Sequence, residues 1–148
     1  MLQSRRMFRP DSRPTLPNCG PLTTDSRHGY GVAPNLLARQ FDVEQPDHVW
    51  AGDITYVWTS EGWLYVSVLL DLYSRKVVGW AMSSQIDTTF VQDALQMALG
   101  RRNPSAGLLH HSDRGTQYTS QQCQSLMVEH GVVCSLSRSG NVWDNAAM

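Results

Sequence analysis

The chain contains little cysteine and almost no lysine. Its 148 residues include a single lysine, Lys76, and three cysteines, Cys19, Cys123 and Cys134, none of which forms a CxxC pair. An odd number of cysteines without such a pair argues against a disulfide framework and against a zinc knuckle. The cysteine content is therefore most consistent with a reducing cytoplasm.

Long hydrophobic runs are also missing. The strongest run, 66–72, is interrupted by Ser67 and Asp71, and it is far shorter than the about 20 apolar residues that span a bilayer. The N-terminus is rich in arginine but lacks a following apolar block, so it does not resemble a secretory signal. We therefore expect a cytoplasmic protein without a membrane partner.

The chain lacks a strong charge of either sign, because its formal net charge is −1. No overall positive field indicates nucleic acid, so a nucleic-acid role would depend on local basic patches. One concentration of positive charge lies in the first fourteen residues, where a single aspartate, Asp11, accompanies four arginines: Arg5, Arg6, Arg9 and Arg13.

The composition divides the chain near Phe41. Residues 1–40 hold five of the seven prolines and show neither a period of 2 nor a period of 3.6 in their apolar residues. This segment is predicted to be an extended, disordered arm rich in proline and arginine. Residues 41–148 show the patterns of a compact α/β unit, and a segment of this length is enough for one domain.

Three strands are predicted at the start of this domain. Segment 49–58 alternates between apolar and polar residues, and a turn at 59–62 follows it. Segment 63–73 is almost entirely apolar, which is typical of a central strand covered on both faces. A third strand over 76–82 completes an antiparallel meander.

The pattern then changes to the helical period. Asp87 can cap a helix whose apolar residues recur at helical spacing, and Gly100 is predicted to lie just beyond its end. Segment 108–111 is predicted to be a short strand that leads directly into Ser112 and Asp113. Asp113 is therefore expected at the C-terminal end of a strand.

A second helix and a fifth strand complete the predicted domain. Thr119 with Gln122 has the pattern of a capping box that opens a helix closed by Gly131, and segment 132–136 is the next strand. Asp144 is predicted to cap a further helix that the sequence contains only in part. The order βββαβαβ(α) predicts the α/β class, with a mixed five-stranded sheet and flanking helices.

Two carboxylates are the strongest candidates for chemistry. Asp53 interrupts an apolar strand beside Gly52, which would let a substrate backbone approach, and Asp113 follows a neighbouring strand. Phosphodiester chemistry commonly uses divalent ions held by a small cluster of carboxylates. The alternative is that aspartates at strand ends form turns or cap helices, and such roles account fully for Asp71 and Asp144.

Other polar and aromatic residues are weaker candidates for a functional site. His110 and His111 could suggest zinc, but neighbouring residues on a strand point to opposite faces and cannot readily ligate one ion. Trp143 could stack on a base, although an aromatic residue near a helix start is more often a core anchor. Three basic side chains could meet a DNA backbone, although surface charges are mostly just solvated: Lys76, Arg114 and Arg138.

Four segments in order resemble the integrase-type catalytic core of bacterial insertion-sequence transposases, the OrfB type related to retroviral integrases. They are 49–56 (VWAGDITY), 70–80 (LDLYSRKVVGW), 110–119 (HHSDRGTQYT) and 137–145 (SRSGNVWDN). Each segment alone could arise by chance, but the ordered set is highly specific. The resemblance extends from about residue 24 to residue 148 and does not include the residues before it.

The resemblance implies an RNase H-like fold in which two aspartates and one glutamate hold Mg²⁺ or Mn²⁺ for DNA cleavage and strand transfer. Asp53 and Asp113 occupy the two aspartate positions. The glutamate would follow Asp113 after thirty-five intervening residues, at position 149, one residue beyond this sequence. The expected protein is thus a transposase fragment whose last helix is truncated and whose strand-transfer activity is absent when it acts alone.

Several alternatives stay open at this point. The glutamate could be supplied by frameshifting or by a second polypeptide, or the chain could be a non-catalytic DNA-binding or oligomerising remnant that modulates a full-length transposase. A cellular RNase H-like nuclease is disfavoured by the WDN motif at 143–145. The expected partners are DNA and either further copies of the chain or a full-length transposase, and loss of the last helix is expected to expose apolar surface.

Overall fold

The computed structural model describes residues 33–138 and residue 144. Its elements are β1 (Val49–Thr59), β2 (Gly62–Asp71), β3 (Lys76–Ser83), α1 (Thr88–Arg102), β4 (Leu109–Ser112), α2 (Thr116–Thr119), α3 (Gln121–Glu129) and β5 (Val133–Leu136). The predicted mixed five-stranded sheet with flanking helices is confirmed. The helix predicted after Asp144 lies outside the described residues.

The strand order in the sheet is β3-β2-β1-β4-β5. Strands β1 to β3 form the predicted antiparallel meander, because β1 pairs with β2 and β2 pairs with β3 in that sense. Strand β4 pairs parallel with β1, and β5 pairs parallel with β4. The C-terminal ends of β1 and β4 therefore lie at the same edge of the sheet.

One face of the sheet carries the larger hydrophobic core. Helix α1 buries the six apolar residues that the sequence predicted for it: Phe90, Val91, Ala94, Leu95, Ala98 and Leu99. They pack with residues such as Trp50 and Leu69 from the sheet and Met127 from α3 in one buried cluster. In this helical layer α1 packs on β3 and β2, and α3 packs on β5.

The opposite face is covered only in part. A small cluster of Leu37, Ala51 and Leu72 lies there, so the segment before β1 packs on the sheet near the start of that strand. Farther along this face the alternation of the strands presents four apolar side chains that are 42–55% exposed: Val57, Val77, Trp80 and Met82. We call these four residues the exposed apolar face.

Residues 34–37 contact the last strand. The backbone N–H of Leu136 donates to the carbonyl of Pro34, and the N–H groups of Leu36 and Leu37 donate to the hydroxyl of Ser135. Part of the segment assigned to the arm is thus ordered against the sheet. The division of the chain at residue 40 stays a prediction, because residues 1–32 lie outside the described part.

The predicted end of the first helix was wrong. Helix α1 passes through Gly100 and ends at Arg102, because Asn103 adopts the left-handed conformation and its N–H closes the last turn onto Leu99. Asparagine adopts that conformation more readily than most other residues except glycine. No helix within residues 33–138 is long and apolar enough to cross a membrane.

The capping box predicted at Thr119 is also incorrect. Thr119 belongs to the short helix α2, and Ser120 caps α3 by accepting a hydrogen bond from the N–H of Cys123. Asp87 caps α1 as predicted, since its carboxylate accepts from the N–H of Phe90 at 3.0 Å. Both caps have the same geometry, in which the side-chain oxygen reaches the third residue of the helix.

Candidate metal centre

The register of the sheet brings Asp53 and Asp113 to neighbouring positions. Gly52 of β1 pairs with Ser112 of β4 in parallel register. Each aspartate is the next residue after one member of this pair, and adjacent strands lie about 4.8 Å apart. The sequence predicted both residues at strand positions, and the pairing of β1 with β4 is what places them side by side.

The two carboxylates influence each other electrostatically. The pKa of Asp53 is raised, chiefly by its burial and also by the negative charge of Asp113, while the N–H of Ile54 acts in the opposite direction. That N–H donates to Oδ1 of Asp53 at 2.8 Å, and the N–H of Gly115 donates to Oδ1 of Asp113 at 3.0 Å. Two half-buried carboxylates that repel one another are a donor set suited to a divalent cation.

Gly52 has a different role from the one that the sequence suggested. A Cβ atom at this position would lie 3.0 Å from Nε2 of His110 and 3.4 Å from the hydroxyl of Tyr118. Gly52 is buried, so its missing side chain makes room for these two residues and not for a substrate backbone. Gly115 is similarly confined, since a Cβ atom there would lie 3.0 Å from Oδ1 of Asp113.

No third metal-binding side chain joins the pair within the described residues. Among them, no group of three or more His, Cys, Asp or Glu side chains is arranged to hold an ion. Asp71 is committed to the turn after β2, where its carboxylate accepts from the N–H groups of Asp47 and Ser74 and from the Ser74 hydroxyl. The predicted turn role of Asp71 therefore agrees with its contacts.

Asp144 is fully buried and forms the centre of an ion-pair network. Its carboxylate accepts from Nε and Nη2 of Arg138 at 2.9 and 2.8 Å, and from Nε of Arg39 at 2.9 Å. The backbone N–H of Arg138 and the amide of Asn35 also donate to it. These contacts, foremost those of Arg138, hold the pKa of Asp144 far below its usual range. The carboxylate thus ties residues 35–39 to a position after β5. The capping role predicted for Asp144 stays a prediction, because the residues that follow it lie outside the described part.

The two histidines lie on opposite faces of β4, as the sequence analysis argued. The ring of His110 packs against Tyr118 with centroids 5.7 Å apart, and burial lowers the pKa of His110 to about 4, with a further contribution from His111. Nδ1 of His111 lies 2.8 Å from the hydroxyl of Ser135, and its Nε2 lies 2.9 Å from the carbonyl of Asp144. His110 and His111 therefore have no common metal position.

The basic residues predicted as DNA contacts differ in the contacts that their side chains make in the structure. Lys76 is exposed at the start of the edge strand β3. Nε of Arg114 donates to the carbonyl of Ser137 at 2.7 Å, whereas the guanidinium of Arg138 is bound to Asp144. Trp143 lies outside the described residues. The assignment of these four residues to DNA stays a prediction.

A mixed sheet of order β3-β2-β1-β4-β5 with flanking helices gives the chain the RNase H-like fold. Two of the solved structures that resemble it are a viral intasome and the catalytic core domain of an integrase. A simian T-cell lymphotropic virus intasome in complex with the PP2A regulatory subunit B56 gamma matches with a TM-score of 0.65 and 18% identity, over 84% of this chain and 42% of that chain. The catalytic core domain of HTLV-2 integrase, solved with magnesium, matches with a TM-score of 0.56 and 21% identity, over 62% of this chain and 61% of that chain.

The sequence comparison identifies the family. Residues 43–142 match the model of the integrase core domain, and the chain belongs to this family. The transposase of insertion sequence element IS904 from Lactococcus lactis is 46% identical over 115 residues, which is 78% of this chain and 46% of that protein. Transposase InsF of insertion sequence IS3A from Escherichia coli is 46% identical over 121 residues, covering 82% of this chain and 42% of the transposase. The chain thus spans less than half the length of these relatives.

Proposed function

We propose that Asp53 and Asp113 form the two-aspartate part of a divalent metal site for DNA cleavage and strand transfer. The observation that carries this proposal is the parallel pairing of Gly52 with Ser112, which sets the two carboxylates side by side. A bound Mg²⁺ or Mn²⁺ ion would polarise the phosphodiester and stabilise the oxygens that attack and leave. Asp113 is oriented by the N–H of Gly115, and Asp53 by the N–H of Ile54.

The relatives support DNA as the substrate, since they are named transposases of insertion sequences. The proposed place of action is the cytoplasm, at the DNA of a bacterial nucleoid. Two carboxylates leave much of the coordination of an ion to water, so we expect weak metal binding by the 148-residue chain.

Replacement of either aspartate should remove the effect of the metal on stability. In 10 mM Mn²⁺ we expect the unfolding temperature of the unaltered chain to rise by about 4 °C, as for a site with a millimolar dissociation constant. Asp53→Asn and Asp113→Asn should each abolish this rise. Calorimetric titration with Mn²⁺ gives the affinity directly. Asp93→Asn, which alters an exposed aspartate on α1, is the matched control and should respond to Mn²⁺ like the unaltered chain.

The Asp53 variant should behave differently when metal is absent. Burial raises the pKa of Asp53, so its ionised form destabilises the folded protein, and Asp53→Asn should unfold about 2 °C higher in EDTA at neutral pH. This difference should shrink as the pH falls through the raised pKa, because the unaltered carboxyl then becomes neutral too. A Mn²⁺ response that survives in both aspartate variants would contradict the proposed metal site.

A second candidate function, an oligomerising remnant that modulates a full-length transposase, is favoured by the exposed apolar face. Trp80 and Met82 lie on the edge strand β3 and are 42% and 55% exposed. A contiguous apolar patch at a sheet edge commonly marks a site of association. Trp80→Lys should therefore shift the sedimentation of the chain at about 100 μM toward the monomer, by introducing a charge at this face.

The same candidate function requires DNA binding, which filter binding to duplex DNA at low salt would measure. Binding should weaken as salt increases, because phosphate contacts release counterions. Lys76→Gln removes an exposed positive charge without touching the Asp144 network and is the variant to compare. Monomeric behaviour at all concentrations together with an absence of DNA binding would exclude the second candidate.

A further inference from the structure

A cluster of buried polar groups lies on the helix-covered side of β1, outside the carboxylate pair. The hydroxyl of Ser67, Nδ1 of His110 and the hydroxyl of Tyr118 have no hydrogen-bond partner among the described residues. Their residues are 0%, 1% and 1% exposed. A buried polar group without a partner costs about 1–3 kcal/mol, so three together call for a partner that the side chains around them do not supply.

The residues of these groups lie around the strand position directly before Asp53, where His110 presents Nε2 and not the unpartnered Nδ1. The hydroxyl of Tyr118 and Nε2 of His110 lie 3.4 and 3.0 Å from the place where a Cβ atom of Gly52 would be. Ser67 is the register partner of Ile54, on the strand at the other side of β1. Since glycine has no Cβ atom, the side chains of His110 and Tyr118 come close together under the backbone that carries Asp53.

The protonation states of the cluster are well defined. The pKa of Tyr118 is raised well above its ordinary value, chiefly by burial and then by the charges of Asp113 and Asp53, while the neighbouring Ser67 acts in the opposite direction. The Ser67 and Tyr118 hydroxyls nevertheless do not meet the geometry of a hydrogen bond to each other. The phenol is thus a neutral donor at physiological pH. His110 is neutral as well, because its pKa is lowered to about 4.

We propose that the hydroxyls of Ser67 and Tyr118 bind a buried water molecule beneath Gly52, through which Tyr118 acts as a positioning residue for Asp53 and Asp113. Buried waters typically make about three hydrogen bonds, and the two unpartnered hydroxyls supply two of them. The water would tie α2 and β2 to the segment where Gly52 pairs with Ser112. The positioning of the carboxylates for an ion rests on the proposed metal site, whereas the hydration site does not.

The hydroxyl of Tyr118 can be removed without removing its ring. In Tyr118→Phe we expect the unfolding temperature to stay within about 2 °C of the unaltered chain, because the apolar packing is kept. Mn²⁺ affinity should fall about 10-fold, as is usual when a group behind the metal ligands is lost. Amide hydrogen exchange at Asp53 and Asp113 should become faster in the metal-free protein. Tyr65→Phe, at a buried tyrosine of β2 in the same core, is the control and should change none of these quantities.

A double-mutant cycle tests whether one water molecule joins the residues. Tyr118→Phe and Ser67→Ala should have similar effects on amide exchange, and the double variant should add little to either, because both remove the same bridge. A high-resolution crystal structure should show ordered water density between the two hydroxyls in the unaltered chain and none in the double variant.

Failure of this inference can be distinguished from failure of the proposed function. Unchanged amide exchange in Tyr118→Phe would overturn the inference whether or not the protein binds Mn²⁺, as would additive effects in the cycle. If no variant and not even the unaltered chain binds Mn²⁺, the proposed function fails. In that case amide exchange and the crystallographic water decide the hydration site by themselves.

Discussion

Replacing Asp144 with asparagine is expected to lower the unfolding temperature by about 5–10 °C at neutral pH. An asparagine side chain carries no charge, and only one of its two terminal groups can accept a hydrogen bond, so Arg138 and Arg39 would lose their common partner. The carboxylate of Asp144 is completely buried, whereas the side chains of Arg39 and Arg138 are 46% and 57% exposed. The arginines can therefore regain water in the variant, but the contact between the two ends of the described chain is lost.

The effect of Asp144→Asn should depend on pH in a defined direction. The pKa of Asp144 is depressed in the folded protein, so the stability from its ionised form is present above the unfolded pKa of about 3.9. This stability is lost as the pH falls below that value toward the folded pKa. The difference between the two proteins should therefore be largest at neutral pH and should shrink between about pH 4 and pH 2.

Thermal unfolding followed by circular dichroism across this pH range measures the effect. Asp42→Asn, which changes an exposed aspartate, is the control and should leave the unfolding temperature unchanged at neutral pH. Arg39→Gln should reproduce part of the loss, since Arg138 would still neutralise the carboxylate. An unfolding temperature for Asp144→Asn that equals that of the control would show that the network does not hold the domain together.

The sequence predicted the elements around the candidate site well. The strand with Asp53 and the strand before Asp113 are recognisable because alternation and apolar runs are local properties. The fold class followed from the order of the elements and, independently, from the resemblance. What the sequence could not specify is the register, which is determined by how β1 and β4 meet in the folded sheet. The adjacency of the two carboxylates depends on that register.

Contacts between distant parts of the chain could not be predicted from local sequence patterns. Arg39 and Asn35 lie 105 and 109 residues before Asp144, and nothing in their surroundings distinguishes them from other polar residues of a proline-rich segment. Likewise, the sequence shows Ser67 only as part of a predicted strand and Tyr118 only as part of the segment 110–119. Only Gly52 stood out in the sequence, where it was interpreted as making room for a substrate backbone. In the structure its missing side chain makes room for His110 and Tyr118.

The close packing of α1 on β3 leads to the prediction with the greatest effect on stability. A Cβ atom at Gly79 would lie 2.2 Å from the carbonyl oxygen of Ala94 and 2.8 Å from the Cβ of Ala98. Because the nearer atom belongs to the backbone of a helix, no side-chain rotation relieves the clash. Gly79→Ala must push α1 away from the sheet and should cost about 3 kcal/mol or more, which lowers the unfolding temperature by about 10 °C.

Gly100→Ala is the matched control, because it makes the same substitution at an open position within α1. Nothing lies within 4 Å of a Cβ atom at Gly100, so alanine should stabilise the helix by about 0.5–1 kcal/mol. The two substitutions should therefore act in opposite directions in urea-induced unfolding. Since α1 also contacts α2 and α3, displacement of α1 by Gly79→Ala should loosen α2 and speed amide exchange at Tyr118. Equal stability of the two variants would contradict the close approach of α1 to β3.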